Sequence, residues 1–410
     1  MATKYDYFEI FYKNKSILNA KDIARQFPKE KYSTIYKQLL ELQKENFIEK
    51  KNTGFQIVNS KKTNLLFTII EHCLKNQINY NLVLDKNFAS FVKFSLERKE
   101  INSKNLKLNP RTLKKYILIL KDNELALIIS KRPLRAKVFY NPLLNNILLF
   151  FGFTNLNLNK EKKDYKKEIE KEIKVFNKLR RQNEWKYKKI IEEMQIHFVY
   201  HSLSIEGNPA TLLDTEKILK NKILPSDLIS FYAEEIKNYR DAIRKMLIDA
   251  EEDKLLSIPL ILEYHEIAMK HKIEIAGKIR LVPVHISNNL NFKISKPKDI
   301  LPDLNSLLLE YSKFVQKSAN FKNILDFAVQ FHNTFQHIHP FKDGNSRTTR
   351  LLTFYIFQQK GIPIIDIPYG LLNEYITRTK GSKIRDDEKL KGILQETILF
   401  NLEKIKGLLK

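Results

Sequence analysis

One short segment constrains this chain more than any other: residues 339–350, which read HPFKDGNSRTTR. Pro340 stops the helical pattern that precedes it, and Gly344 and Asn345 tolerate a tight turn whose successive N–H groups can point at phosphate oxygens. A new helix is expected to start near Ser346. The segment therefore predicts a loop and a helix start that together bind pyrophosphate.

The charged side chains of this segment indicate its chemistry. Arg347 and Arg350 are three residues apart and share one face of the first helical turn, where the helix dipole also favours anions. Asp343 offers the hard oxygen ligand that Mg²⁺ prefers. His339 lies at the mouth of the loop, and an imidazole with an ordinary pKa of about 6.5 can act as a general base at neutral pH.

The segment resembles the core motif of the Fic (Fido) domain family, HxFx[DE]GNGRxxR. Seven of the eight comparable positions match. They are His339, Phe341, Asp343, Gly344, Asn345, Arg347 and Arg350. The exception is Ser346, where the family usually has a second glycine. The preceding run, FHNTFQHIHPF, also resembles the helix that leads into the family motif.

A second segment resembles a regulatory element of the same family. Residues 202–208 read SLSIEGN, which is similar to the inhibitory motif [ST]xxxE[GN] on a helix beside the Fic site. Gly207 suits the left-handed position just past a helix end, which places Glu206 in the last turn of a helix near residues 196–207. A carboxylate there opposes the helix dipole unless a cation lies nearby. The resemblance offers Arg350 as that cation; a solvated surface glutamate is the alternative.

The resemblance implies a protein adenylyltransferase that moves AMP from ATP to a Ser, Thr or Tyr hydroxyl, with Mg²⁺ as cofactor. His339 would be the catalytic base, Asp343 the metal ligand and Glu206 the inhibitory residue that competes with the γ-phosphate. The expected nucleotide-binding residues are Gly344, Asn345, Ser346, Arg347, Arg350 and Tyr375. The protein substrate could be the chain itself, and the same site could also remove AMP.

Two other functions stay open from the sequence. Ser346 adds a Cβ where the family's glycine lets phosphate approach, so a Fic-type phosphotransferase is one alternative. The other is a DNA-binding transcriptional regulator whose Fic domain only senses nucleotide. The intact His339, Asp343 and Arg347 argue against an inactive site.

Composition sets wider limits. The chain has 410 residues, 43% of them hydrophobic, which indicates a globular protein of more than one domain. The apolar runs are too short to span a bilayer, so a cytoplasmic protein without membrane contact is expected. Cys73 is the one cysteine, which excludes an internal disulfide framework. The net charge of +25 favours nucleic acid or acidic partners, although a lysine-rich composition explains it equally well.

The expected fold class is mainly α, with an α-helical Fic domain preceded by one or two winged-helix modules. Residues 1–60 read as three helices and a hairpin, the order of a winged helix-turn-helix. Lys31 and Lys37 lie toward the exposed start of the third helix. Such a module binds duplex DNA or another protein, and homodimer formation is a third use of it.

The rest of the chain is assigned from patterning. Residues 61–150 repeat the plan less clearly, with a basic turn near Arg132, and residues 151–191 read as a charged linker helix. The Fic domain is expected over residues 192–410. Within it, residues 277–294 alternate like a hairpin and resemble the family's flap, which docks a target segment by strand addition. The docking residues implied are Val282, Val284 and His285.

Overall fold

The computed structural model describes residues 2–102, 108–158, 164–286, 289, 292–317, 319–379 and 386–410. The fold is mainly helical with two small antiparallel sheets, as the sequence predicts. Among the described residues, no helix is both long enough and apolar enough to cross a membrane.

The helices are, in chain order, α1 (Lys4–Asn14), α2 (Ala20–Gln26), α3 (Tyr32–Lys44), α4 (Lys61–Lys75), α5 (Tyr80–Val83), α6 (Lys86–Leu96), α7 (Pro110–Asp122), α8 (Pro142–Phe150), α9 (Lys166–Gln182), α10 (Glu184–Ser204), α11 (Leu212–Glu216), α12 (Ser230–Glu251), α13 (Ile258–Ala268), α14 (Ile300–Val315), α15 (Phe321–Ile338), α16 (Asn345–Gln359), α17 (Tyr369–Thr379) and α18 (Asp387–Leu409). The strands are β1 (Ile48–Lys51), β2 (Gly54–Ile57), β3 (Ile101–Asn102), β4 (Ala126–Lys131) and β5 (Leu134–Val138).

The chain divides into two compact units: Met1–Glu97 with Pro142–Leu158, and Arg98–Asn141 with Asn159–Lys410. Residues 61–150, expected to hold a second module, are shared between the units. Helix α8 packs on α4 and α6 in the first unit, whereas β4 packs on α7 and α18 in the second. The domain boundaries read from the sequence stay predictions.

The first unit contains the predicted order of three helices and a hairpin. Asn19 caps α2 through its side chain, which accepts hydrogen bonds from the backbone N–H groups of Lys21 and Asp22. Strands β1 and β2 pair antiparallel, with Ile48 opposite Ile57. Cys73 is fully buried on α4, so it behaves as the small apolar core residue that we expect.

The second unit is a helical bundle with one small sheet, in the order β3-β5-β4. Helices α15 and α16 pack together at its centre, and α12 packs on both α13 and α16. Because α15 and α16 flank residues 339–344, the loop with the strongest chemical signal is held between two buried helices.

Helix α9 corrects one sequence-based expectation. Its apolar positions are sparse, which favoured a solvated linker, yet Ile169 and Phe176 are fully buried and the helix packs along α18. Tyr165, just before the helix, is also buried. A few large side chains on one face are enough to dock a charged helix, because its lysine and glutamate side chains stay on the other face.

Candidate active site

The loop between α15 and α16 is closed by one asparagine. Helix α15 ends at Ile338, and His339 has a left-handed backbone (φ 50°) that turns the chain. The side chain of Asn345 then accepts a hydrogen bond from the Phe341 N–H (2.9 Å) and donates one to the Phe341 carbonyl (2.8 Å). This double contact fixes the shape of the loop without using any charged group.

His265 on α13 supports the loop from below, and sequence reasoning did not identify it. Its ring stacks on Phe341 with centroids 3.6 Å apart. Its Nδ1 accepts a hydrogen bond from the Gly277 N–H (3.0 Å), so its Nε2–H donates to the Asp343 carbonyl (2.9 Å). Burial lowers the pKa of His265 to about 4, which keeps the ring neutral at physiological pH.

Arg280 is a second residue that the sequence did not reveal. Its side chain is buried and donates to three carbonyl groups, those of His339 (2.7 Å), Val282 (3.1 Å) and Ser295 (2.5 Å). Its backbone N–H donates to the Pro340 carbonyl (2.9 Å). One arginine therefore ties residues 339–340 of the loop to Val282 in the segment predicted as the flap and to Ser295 just after it.

The flap segment differs from the expected hairpin. Residues 287–288 and 290–291 lie outside the described part of the chain. In the described part, the backbone of Ile279 forms an antiparallel bridge with Phe341 instead of pairing within the segment. The backbone of Ile279 and Arg280 pairs with residues 340–341, and no strand pairing within the segment is seen among its described residues. Of the expected docking residues, Val282 and His285 are exposed and Val284 is half-buried.

His339 is half-buried, with its ring oriented by the preceding helix. Its Nδ1 lies 3.3 Å from the Gln336 carbonyl, so Nδ1 carries the proton and donates it. In that tautomer the lone pair is on Nε2. The histidine thus has the protonation pattern of a general base.

Asp343 is ionised and partly accessible. Burial raises the pKa of Asp343, but the charges of Arg347 and Lys272 outweigh it and lower the pKa to about 2. Its Oδ2 accepts a hydrogen bond from Lys272 (2.6 Å), and its Oδ1 lies 3.2 Å from Arg347. An ionised carboxylate fits Mg²⁺, which usually combines one or two carboxylates with substrate phosphates, provided that Lys272 releases Oδ2.

Arg347 is buried and pairs with a glutamate from another helix. Its Nη1 contacts Glu235 on α12, a residue that sequence reasoning missed. Glu235 also accepts a hydrogen bond from the Asn208 side chain (2.8 Å). Through Glu235, the segment that follows Glu206 is therefore linked to Arg347.

Arg350 makes the contact that the sequence predicts. Its Nη2 donates to Glu206 (3.0 Å) and to the Ser202 carbonyl (3.0 Å), while its Nε donates to the Ser202 hydroxyl (2.6 Å). Burial lowers the pKa of Arg350, but the interactions with Glu206 and neighbouring tyrosines raise it by more. The net shift is upward, so the guanidinium keeps its charge. The predicted reach between Glu206 and Arg350 is confirmed.

Both arginines retain buried donor capacity. Among the described residues, no side chain or backbone group accepts a hydrogen bond from Arg347 Nε or Arg350 Nη1. A buried donor without an acceptor costs about 1–3 kcal/mol, so an anionic ligand that reached these atoms would gain from them. The residues present therefore fit the phosphates of a nucleotide.

The remaining predicted nucleotide residues lie in two different settings. Ser346 is half-buried within the first turn of α16 and is not among the residues with positive φ, so the backbone there does not require glycine. Tyr375 is buried on α17, with its hydroxyl 2.9 Å from His332 Nε2. Burial raises the pKa of Tyr375 to about 12 and lowers that of His332 to about 4, so both are neutral.

The region that contains the candidate site also matches a known protein family. Residues 255–357 match the model of the Fic/DOC family. The chain is 28% identical over 192 residues to the Protein adenylyltransferase Fic of Nematostella vectensis, covering 46% of this chain and 43% of that one. It is 29% identical over 193 residues to Protein adenylyltransferase fic-1 of Caenorhabditis briggsae, covering 46% and 36%. The chain thus spans less than half the length of these relatives.

A solved structure shares the fold. A Fic domain containing signaling protein from Bacteroides thetaiotaomicron superimposes with a TM-score of 0.51 at 20% identity, over 60% of this chain and 97% of that one. Residues 255–357 thus match the predicted family, whereas the predicted bounds of the domain, 192–410, stay a prediction.

Gly344→Ala tests how tightly the loop packs. A Cβ at Gly344 would lie 2.9 Å from Met269 Sδ and 3.0 Å from His265 Nε2, at a φ of +79°. Gly361 is the matched control, because its φ is +70° and nothing lies within 4 Å of its Cβ position. We expect Gly361→Ala to cost about 1–2 kcal/mol from backbone strain alone, and Gly344→Ala about 1–3 kcal/mol more. Equal losses in the free energy of unfolding, measured by denaturant titration, would refute the close packing.

Proposed function

We propose that this chain is a protein adenylyltransferase, which transfers AMP from ATP to a hydroxyl group of a protein and is held inactive by Glu206. The proposal rests on the grouping, in one loop and the first turns of the helix that follows, of an oriented histidine, an ionised aspartate and two buried arginines. Both arginines keep a hydrogen-bond donor that is not used within the described part of the protein. The match of residues 255–357 to the Fic/DOC family supports it. So do relatives that are named protein adenylyltransferases.

The proposed reaction is a displacement at the α-phosphorus of ATP. His339 Nε2 takes the proton of the attacking hydroxyl as the new O–P bond forms. The bond to the bridging oxygen then breaks, and pyrophosphate leaves. The N–H groups at the start of α16 and the Arg347 guanidinium stabilise the charge on the phosphates. Positioning and electrostatics therefore do most of the work, as in other phosphoryl-type transfers.

Asp343 is the proposed ligand for Mg²⁺. A magnesium ion bound there supplies positive charge to the α- and β-phosphates. Lys272 currently donates to the same carboxylate oxygen, so it must move before a metal can bind there.

The inhibitory role of Glu206 follows from what it occupies. Its carboxylate accepts a hydrogen bond from Arg350 Nη2, and the side chain is mostly buried beside that arginine. A γ-phosphate that needs the same guanidinium must first displace a negative charge. Inhibition is thus competition between two anions for one cation.

Neutralising Glu206 is expected to activate the protein. Glu206→Gln removes the competing charge, and because hydrogen bonds to charged groups contribute about 1.5–3 kcal/mol, ATP affinity should rise about 10- to 100-fold. Automodification with ATP and Mg²⁺, followed by intact mass, should increase in parallel. Glu193→Gln is the control, since Glu193 lies exposed on the same helix, α10, and pairs with Lys220. Equal behaviour of the two variants would contradict inhibition by Glu206.

Removal of the proposed base tests the reaction itself. General base catalysis contributes about 10²- to 10⁴-fold, so His339→Ala in the Glu206→Gln background should lose transfer by that factor. ATP binding, measured by calorimetry, should change little because proton removal is a transition-state task. Turnover close to that of the parent variant would remove His339 from this role.

The first unit supports a second function, binding of duplex DNA. Helix α3 begins with exposed Lys31, Tyr32 and Ser33, and Lys37 is exposed one turn later. The β1–β2 hairpin that follows exposes Lys50 and Lys51. A basic helix start beside a basic hairpin is the arrangement with which a winged helix contacts a groove and its phosphates.

DNA binding can be measured on the whole chain with mixed-sequence and genomic duplexes. Phosphate contacts release counterions, so affinity should fall steeply between low and moderate salt. Lys37→Glu should weaken binding further and reduce the salt dependence. Lys75→Glu, the same charge change on α4, should have the smaller effect. No binding at low salt would favour a protein partner or a second copy of the chain for this unit.

A further inference from the structure

A cluster of metal-binding residue types lies in the second unit, on the helix that leads to Glu206. It contains Glu124, His197, His201 and Asp366, and one ligand atom of each lies within 4.8 Å of all the others. The two histidines are one turn apart on α10, so they project from the same face. Glu124 lies between α7 and β4, and Asp366 lies between α16 and α17. Neither the proposed transfer reaction nor the family motif uses these residues.

The geometry is that of a histidine held by a carboxylate. His201 Nδ1 lies 2.9 Å from Asp366 Oδ2, and both side chains are buried. With Nδ1–H donated to Asp366, the lone pair of His201 is on Nε2, which lies 4.0 Å from Glu124 Oε2. Metal-bound histidines commonly donate their other ring nitrogen to a carboxylate in this way.

His197 is the third residue with a possible ligand atom. His197 Nδ1 lies 3.7 Å from Glu124 Oε1. Ligands around a tetrahedral ion with bonds of about 2.0–2.1 Å are separated by about 3.3 Å, so these gaps need to close by less than about 1 Å. The Oε2 atom of Glu124 also accepts a hydrogen bond from the Tyr369 N–H (3.2 Å), which restricts the movement of the carboxylate.

We propose that Glu124, His197 and His201 bind a divalent transition-metal ion such as Zn²⁺, and that Asp366 orients His201 for it. Two imidazoles and a carboxylate are a donor set that suits zinc, and a fourth position is left for water. This site is independent of the proposed adenylyl transfer and of the Mg²⁺ expected at Asp343.

The ion would act on the helix that carries the inhibitory contact. His201 immediately precedes Ser202, whose hydroxyl and carbonyl accept hydrogen bonds from Arg350. Binding at His201 would fix the last turn of α10, and with it Ser202 and Glu206. The metal would therefore stabilise the inhibited arrangement.

Lys404 gives the proposal its sharpest test. Its ammonium group lies 2.6 Å from Glu124 Oε1, in competition with any metal, and its side chain is 25% exposed and can move into solvent. If the cluster is only a buried charge network, Lys404→Met destabilises it and creates no metal site. If the cluster binds metal, Lys404→Met tightens binding because the competing cation is gone.

The experiment is a titration of the chelator-treated full chain with Zn²⁺ by calorimetry, together with Co²⁺ titration to record the visible absorption of a tetrahedral site. We expect one equivalent to bind and the melting temperature to rise. Lys404→Met should bind more tightly, Asp366→Asn about 10- to 100-fold more weakly, and His197→Gln more weakly still. His197→Cys, which restores a ligand, should recover binding, and His337→Ala, a histidine outside the cluster, should bind as the parent does.

Several results would overturn the proposal. They are no binding to the parent chain, binding that His197→Gln leaves unchanged, or weaker binding in Lys404→Met. His197 is the safest position for substitution because its side chain is about one third exposed. Circular dichroism of His197→Gln without metal shows whether the variant is folded, and the Cys substitution separates loss of a ligand from loss of the fold.

Discussion

A buried guanidinium organises this molecule. Arg350 is 1% exposed, and a charge taken out of water costs several kcal/mol unless acceptors surround it. Its Nε and Nη2 groups donate hydrogen bonds to Ser202 and Glu206. The end of α10 and the start of α16 therefore position each other. Removing one partner leaves the other charge buried and unpaired, which destabilises the protein more than replacing both partners with apolar residues does. The pairing is therefore difficult to remove without a loss of stability.

The catalytic loop itself is held by groups that stay neutral or point away from the reaction. Asn345 closes the turn, His265 stacks beneath it, and Arg280 ties its carbonyl groups to the neighbouring segment. The shape of the loop is thus held mainly by residues other than Asp343 and His339. The charges bound at the site can therefore change while the shape of the loop stays the same.

The sequence predicted the parts of the site that are local. The loop and the start of α16 could be read from local spacing, whereas the contact from Glu206 to Arg350 joins residues far apart in the chain and was expected only from the resemblance to the Fic family. Arg280, His265 and Glu235 could not, since each acts through contacts with residues far away in the chain. The same is true of the four-residue cluster, of which only the two histidines on α10 leave a visible spacing.

Patterning also misled in two places, for physical reasons. The flap alternates like a strand, but in its described part Ile279 pairs with Phe341 of the neighbouring loop, and alternation does not specify a partner. The charged helix α9 has few apolar residues, which indicated a linker, yet Ile169, Ile173 and Phe176 recur at helical spacing on one face and pack against the core. A helix can bury one such face although most of its residues are charged.

The ammonium group of Lys272 on Asp343 has a consequence for metal binding. If Mg²⁺ binds Asp343 as proposed, the ion competes with this ammonium group for Oδ2. A metal that carries a nucleotide brings phosphate oxygens that can accept hydrogen bonds from the lysine in place of the carboxylate. On the proposed function, the metal–nucleotide complex is therefore expected to bind more readily than the metal alone.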